Sequence, residues 1–192
     1  MHFPLQIAFK RIALSPQVRV TDANGRLTHF VKQRLFKLRE AVTVFADEAQ
    51  TRRLFEIRAD RILDFNAAYA ITTVDGRVIG RVRRKGLRSL WRAHYDIQAG
   101  GQMLEVREEN PWVKVLDGFF SGLPVIGLFA GYWFHPAYRV TDRGALVARV
   151  QKTPALTESR YRIEAHRPLE GDARDATLQG IFMMLLLERE RG

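Results

Sequence analysis

Five stretches of this chain repeat one plan. Each opens an alternating strand at an aromatic residue or a valine, turns over a few polar residues, and returns as a second alternating strand. They occupy residues 18–33, 42–60, 69–85, 95–109 and 138–152. The turns Asn24-Gly25, Asp75-Gly76, Gly100-Gly101 and Arg143-Gly144 supply residues that tolerate the positive φ of tight hairpins. The second unit carries Glu48-Ala49-Gln50 instead, so a longer, looser turn is expected there. Alternation sorts the faces. In the third unit Tyr69, Ile71, Thr73, Val78, Gly80 and Val82 fall on one side and Arg77, Arg81 and Arg83 on the other. In the fourth, Tyr95, Ile97, Ala99, Leu104 and Val106 face in while Glu105 and Arg107 face out; in the fifth, Tyr138, Val140, Leu146, Ala148 and Val150 face in and Arg139 and Arg149 face out. A last strand repeats this around Tyr161 and Ile163. A period of two with one charged face predicts antiparallel sheet over a core. The connections contain further apolar residues (Leu35, Phe36 and Leu38; Ile62, Leu63 and Phe65; Leu87, Leu90 and Trp91) that read as more short strands. About a dozen strands make a barrel or a sandwich. A closed antiparallel barrel removes the exposed edges.

The end of the chain supplies what such a barrel would contain. From Ile181 to Leu187 every residue is apolar, so a helix over 175–191 has no polar face and must be buried. The run falls short of the roughly 20 apolar residues that span a bilayer. Asp175 is the expected N-cap, and the helix would measure about 24 Å at 1.5 Å per residue. The chain therefore reads as mainly β: one domain over 1–192, a closed antiparallel barrel of about twelve strands around a buried C-terminal helix.

Charge is unevenly spread. Residues 1–92 hold 19 Lys/Arg against 8 Asp/Glu, residues 93–192 hold 12 against 13, and the whole chain is +10. Such a field attracts polyanions; it is equally the mark of an Arg-rich solvated wall. The sharpest cluster is Arg81, Arg83, Arg84, Lys85, Arg88 and Arg92, followed by Lys32, Arg34, Lys37 and Arg39 at the corresponding connection earlier in the chain. A strand end joined to a turn offers backbone N–H groups and Arg forks together, which suits phosphate. Stacking on nucleic-acid bases needs exposed aromatics among the cations; Phe36 and Trp91 are better placed as core, so nucleic acid is not an expected partner.

Residues 110–136 interrupt the repeats. Within them 118–134 carries no charge and includes Phe119, Phe120, Phe129, Tyr132 and Trp133. Three readings stand: a strand-turn-strand packed on the barrel end, a contact for a protein partner or a second copy, or a loop dipping into lipid with aromatics at headgroup level. Enzyme signatures are absent: there is no G-x-S-x-G, H-E-x-x-H, Walker or dinucleotide-binding motif, and the five His are scattered. With no cysteine there are no disulfides and no thiolate metal sites. Neither a cofactor nor a metal is expected. The N-terminal residues lack a basic n-region and a small-residue cleavage site, so no signal peptide is expected.

The stretch VKQRLFKLREAVTVFADE (31–48), the segment DGRVIGRVRRKGLRSLWRAHYDI (75–97) and the buried terminal helix resemble the LURP-one-related family of the Tubby C-terminal-like superfamily, which also contains the phospholipid scramblases. The resemblance covers about residues 18–192. It implies a twelve-stranded barrel around a central helix. Tubby domains bind phosphoinositides through surface Lys and Arg, and scramblases act at membranes, whereas LURP-one-related proteins mostly lack an assigned activity. No acidic D-x-D-x-D-G calcium loop is present here. The expectation is a non-enzymatic module that binds anionic phospholipid or a membrane surface through a basic rim. The alternative is a structural or protein-interaction module that oligomerises through 118–134. The expected location is the cytoplasm, including the inner face of the membrane.

Overall fold

The computed structural model describes residues 1–10, 17–32, 41–60, 68–85, 93–109, 136–155 and 158–189. In chain order the elements are β1 (Leu5–Lys10), β2 (Gln17–Thr21), β3 (Leu27–Lys32), β4 (Ala41–Phe45), β5 (Arg53–Ala59), β6 (Ala68–Thr73), β7 (Val78–Arg84), β8 (His94–Ala99), β9 (Gln102–Glu108), β10 (Ala137–Asp142), β11 (Ala145–Thr153), β12 (Glu158–Ala165) and α1 (Gly171–Arg189). Each strand pairs antiparallel with its chain neighbours, and β12 returns to β1 to close the barrel. The apolar residues read as extra strands at 35–38, 62–65 and 87–91 lie outside the described residues.

Residues 5–10 stand outside the five repeats, yet Leu5, Ile7 and Phe9 alternate and are all buried. This strand pairs with β2 on one side and β12 on the other. It leaves no edge exposed to pair with other chains.

Four of the five hairpins slip register by one residue just after the turn, while β8–β9 does not. The extra residues are Thr28, Leu54, Ile79 and Val147. Such bulges bend and coil a strand, which helps a sheet close on itself. They also swap faces. Val78, expected inside, is 51% exposed, and Ile79 is buried in its place. Val147 is likewise buried where strict alternation named Leu146, which is only half-buried. At the looser β4–β5 turn, Gln50 takes φ of 60° and the Asp47 carboxylate accepts from the backbone N–H groups of Thr51 and Arg52 at 3.0 and 2.9 Å.

The helix begins at Gly171, four residues before the expected start. Ala173 and Arg174 are good helix formers, and the positive φ of Gly171 (51°) turns the chain into the barrel. Asp175 therefore sits in the second turn, where it accepts from Arg174 Nε at 2.9 Å instead of capping. All residues from Ala176 to Leu186 are buried. The helix lies hard against β7 and β8. A Cβ on Gly80 would stand 2.7 Å from Ala176 Cβ, and one on Gly180 would stand 2.7 Å from Ile97 Cγ2. Its opposite face presents Leu178, Gln179 and Phe182 to a cavity walled by β1–β4 and β12. Each large side chain fully buried this way contributes about 1.5–3 kcal/mol. Among the described residues no helix is long and apolar enough to cross a membrane.

Candidate functional site

The meander gives the barrel two unlike rims. The hairpin turns between β2–β3, β4–β5, β6–β7, β8–β9 and β10–β11, with the β12–α1 connection, share one rim, here the turn rim. The connections β1–β2, β3–β4, β5–β6, β7–β8, β9–β10 and β11–β12 share the other, the loop rim. The strand ends flanking 33–40, 86–92 and 110–135 all lie at the loop rim. Its connections carry nine Lys/Arg and five Asp/Glu, against five and five at the turn rim. All three tryptophans, Trp91, Trp112 and Trp133, belong to loop-rim connections.

The helix runs from one rim to the other. Ala173 touches the Gly100 turn, and Glu188 accepts a hydrogen bond from the Tyr95 hydroxyl at 2.8 Å. Tyr69, Tyr95, Tyr138 and Tyr161 are buried inward residues of β6, β8, β10 and β12. They floor the loop rim around the helix end. Burial, then the nearby Glu188 carboxylate, pushes the Tyr95 hydroxyl well above its ordinary value. Burial, followed by Tyr161 and Glu188, does the same to Tyr138. The Arg189 guanidinium lies 5.2 Å above the Phe9 ring. Recurrence of Tyr at the repeat starts was visible in the sequence, but the hydrogen bond from Tyr95 to a helix carboxylate was not.

The described members of the cation cluster are not brought together as one array. Arg81 and Arg83 are exposed on the outer wall, opposite Gln98 and Asp96 respectively. Arg84 turns inward at the rim, 6.0 Å from the Tyr95 ring centroid. Lys85 Nζ sits 3.0 Å from Asp96 and 3.7 Å from Glu105. Lys32 is exposed at the end of β3, opposite Gln17. Arg34, Lys37, Arg39, Arg88 and Arg92, and the apolar Phe119, Phe120, Phe129, Tyr132 and Trp133, lie outside the described residues.

Sequence reasoning missed an ion network on the outer wall near this rim. Asp96 and Glu105 stand directly opposite each other, an arrangement unfavourable for like charges. Two cations and an imidazole surround them: Lys85 contacts both, Arg107 Nη2 donates to Glu105 at 2.8 Å, and His94 Nε2 donates to it at 2.6 Å. Burial works to raise the Glu105 pKa, but the hydrogen bonds from Arg107 and His94 win and hold it below its ordinary value. His94, Asp96 and Glu105 are close enough to hold a metal ion. Because Lys85 and Arg107 already neutralise both carboxylates, the donor set fits an internal ion network better.

Inside the barrel the cavity beneath α1 is about 10 Å³, room for roughly one water. His29 lines it, stacked on Phe55 with ring centroids 6.2 Å apart. Thr28 donates its hydroxyl hydrogen to the Val20 carbonyl at 3.1 Å, so the Thr28 oxygen can only accept from His29 Nδ1 at 3.0 Å. His29 is thus the Nδ1–H tautomer. Burial lowers its pKa to about 4; the Asp175 charge opposes this and the Arg174 charge adds to it.

A closed twelve-stranded barrel threaded by its own C-terminal helix, with a neutral turn rim and a basic loop rim, defines a class of β-barrel module. The family model for LURP-one-related proteins matches residues 27–170, three-quarters of the chain, and the protein belongs to that family. No curated protein and no solved structure matches it.

Proposed function

We propose that this protein is a non-enzymatic module that docks on anionic phospholipid surfaces through the loop rim. One observation carries the reading. The strand ends that lead into both basic connections and into the uncharged aromatic stretch 118–134 share one rim. Cationic connections on the same rim as an apolar stretch suit a bilayer surface, where phosphates lie above hydrocarbon. The cavity beneath α1 is too small for a substrate, which favours binding at the rim over chemistry at that place in the lumen.

Co-sedimentation with phosphatidylcholine vesicles, with and without phosphatidylglycerol, tests it. Binding should need the anionic lipid and weaken with salt, since each cation near the surface contributes about 1 kcal/mol. Because every tryptophan lies in a loop-rim connection, their emission should shift to the blue on binding. Equal behaviour toward both vesicles at low salt would sink the reading. A dimer that is lost on deleting 118–134, without vesicle binding, would replace it with a protein-interaction role.

A further inference from the structure

Arginines hold three successive outward positions across β9, β10 and β11. Arg139 lies directly opposite Arg107 on one side and Arg149 on the other. Neighbouring strands are about 4.8 Å apart, so three guanidinium stems rise within roughly 10 Å of one another. Like charges directly opposite destabilise an antiparallel pair, and here the unfavourable pairing occurs twice in a row. The outer two are compensated. Arg107 donates to Glu105 at 2.8 Å, and Arg149 donates to Glu109 through Nε and Nη2 at 3.0 and 2.8 Å. The central one is not: Arg139 is exposed and makes no ion pair among the described residues. Its chain neighbours Tyr138 and Val140 are buried, so it stands on the outer wall with no part in the core.

A guanidinium has five N–H donors in a planar fork that matches a phosphate. Among the described residues Arg139 turns none of its own to a carboxylate, and its flanking arginines turn theirs to Glu105 and Glu109. The row therefore offers a concentrated set of donors for one oxyanion, which would relieve the repulsion that the row otherwise costs. Its place indicates the source of that oxyanion. Arg107 stands on the strand that leads into 110–135, and Arg139 on the strand that follows it, at the loop rim. We infer that Arg107, Arg139 and Arg149 form the phosphate-contacting row of that rim and take the phosphodiester of an anionic lipid headgroup. This assignment rests on the membrane reading above. It moves the contact from the cation-dense first half of the chain to the second half, whose charges nearly cancel.

Two variants with the same change in net charge separate a site from general attraction. Arg139→Gln removes the centre of the row. Arg143→Asn removes an exposed arginine at the turn rim, and asparagine tolerates its φ of 49°. In co-sedimentation with vesicles containing phosphatidylglycerol, Arg139→Gln should weaken binding about fivefold, the equivalent of about 1 kcal/mol for one surface cation. Arg139→Lys should fall between it and the wild type, and Arg143→Asn should match the wild type. The thermal midpoint of Arg139→Gln should equal or exceed the wild-type value, because two like-charge pairings disappear. Equal weakening by Arg139→Gln and Arg143→Asn, or a lowered midpoint in Arg139→Gln, would overturn the row while leaving membrane binding intact. Wild-type protein that ignores both vesicle types would overturn the membrane reading itself. Calorimetric titration with soluble glycerol phosphate separates the two sources: saturable binding that Arg139→Gln abolishes, without vesicle binding, would overturn the lipid source.

Discussion

At the turn rim five Lys/Arg meet five Asp/Glu, and two of the arginines are engaged close to the barrel. Arg77 forks onto Asp172 in the first turn of α1, and Arg167 bridges Asp142 and Gln102 at 3.1 and 2.9 Å. At the loop rim nine Lys/Arg face five Asp/Glu, the connections are longer, and one of them is uncharged and aromatic over 118–134. One sheet and one helix serve both ends. Short turns close the barrel with the fewest residues and lock the helix start. The longer connections on the other side do not set the sheet register, so their composition is free to serve a partner.

The largest effect falls on the core the two rims share. Leu185 is 1% exposed, and Leu185→Asp should cost several kcal/mol and unfold both ends together. Tryptophan emission reports the loop rim, and amide exchange at the Gly25 and Gly144 turns reports the other. Protection surviving at the turns would make the rims separate units. Next is a pH effect in the β2–β3 hairpin. His29 has a folded pKa of about 4 against an ordinary 6.5, so the unfolded chain binds its proton more readily. Stability from this group is complete above pH 6.5 and is lost as pH falls toward about 4, by up to about 3 kcal/mol. His29→Gln should flatten the urea midpoint over that window relative to the wild type; an unchanged slope would refute the half-buried neutral imidazole. Midway between the rims, Gly180→Val meets Ile97 and should cost about 1–3 kcal/mol by overpacking, read as a lower urea midpoint. The smallest effect is at the turn rim. Arg77→Ala breaks an exposed pair and should lower the thermal midpoint by no more than a few degrees, with vesicle binding unchanged. A loss of vesicle binding in this variant would blur the distinction between the rims.

Much of the barrel was legible before the structure. Tyr95, Ile97, Leu104 and Val106 face in as alternation requires, because a period of two leaves a strand with one apolar face no other choice. Val78 and Ile79 were not legible, because a bulge is set by how two strands must coil to close, not by either strand's own pattern. The helix start was misplaced for a similar reason. Asp175 looks like a cap locally, but Gly171 is where the chain must turn inward. The cation cluster was visible as composition, yet its members point to different places: Arg81 to the wall, Arg84 over Tyr95, Lys85 into an acidic pair. The row of Arg107, Arg139 and Arg149 comes from residues far apart in the chain, and only cross-strand register makes them neighbours.

The sequence alone determined that the sheet is antiparallel, that its turns are tight, and that the last helix must be enclosed. These follow from local periodicity and from the need to hide apolar surface. The tertiary structure decided which strand closes the barrel, which connections share a rim and which arginines stand side by side. Those depend on closure and register, long-range properties that no single stretch of chain encodes.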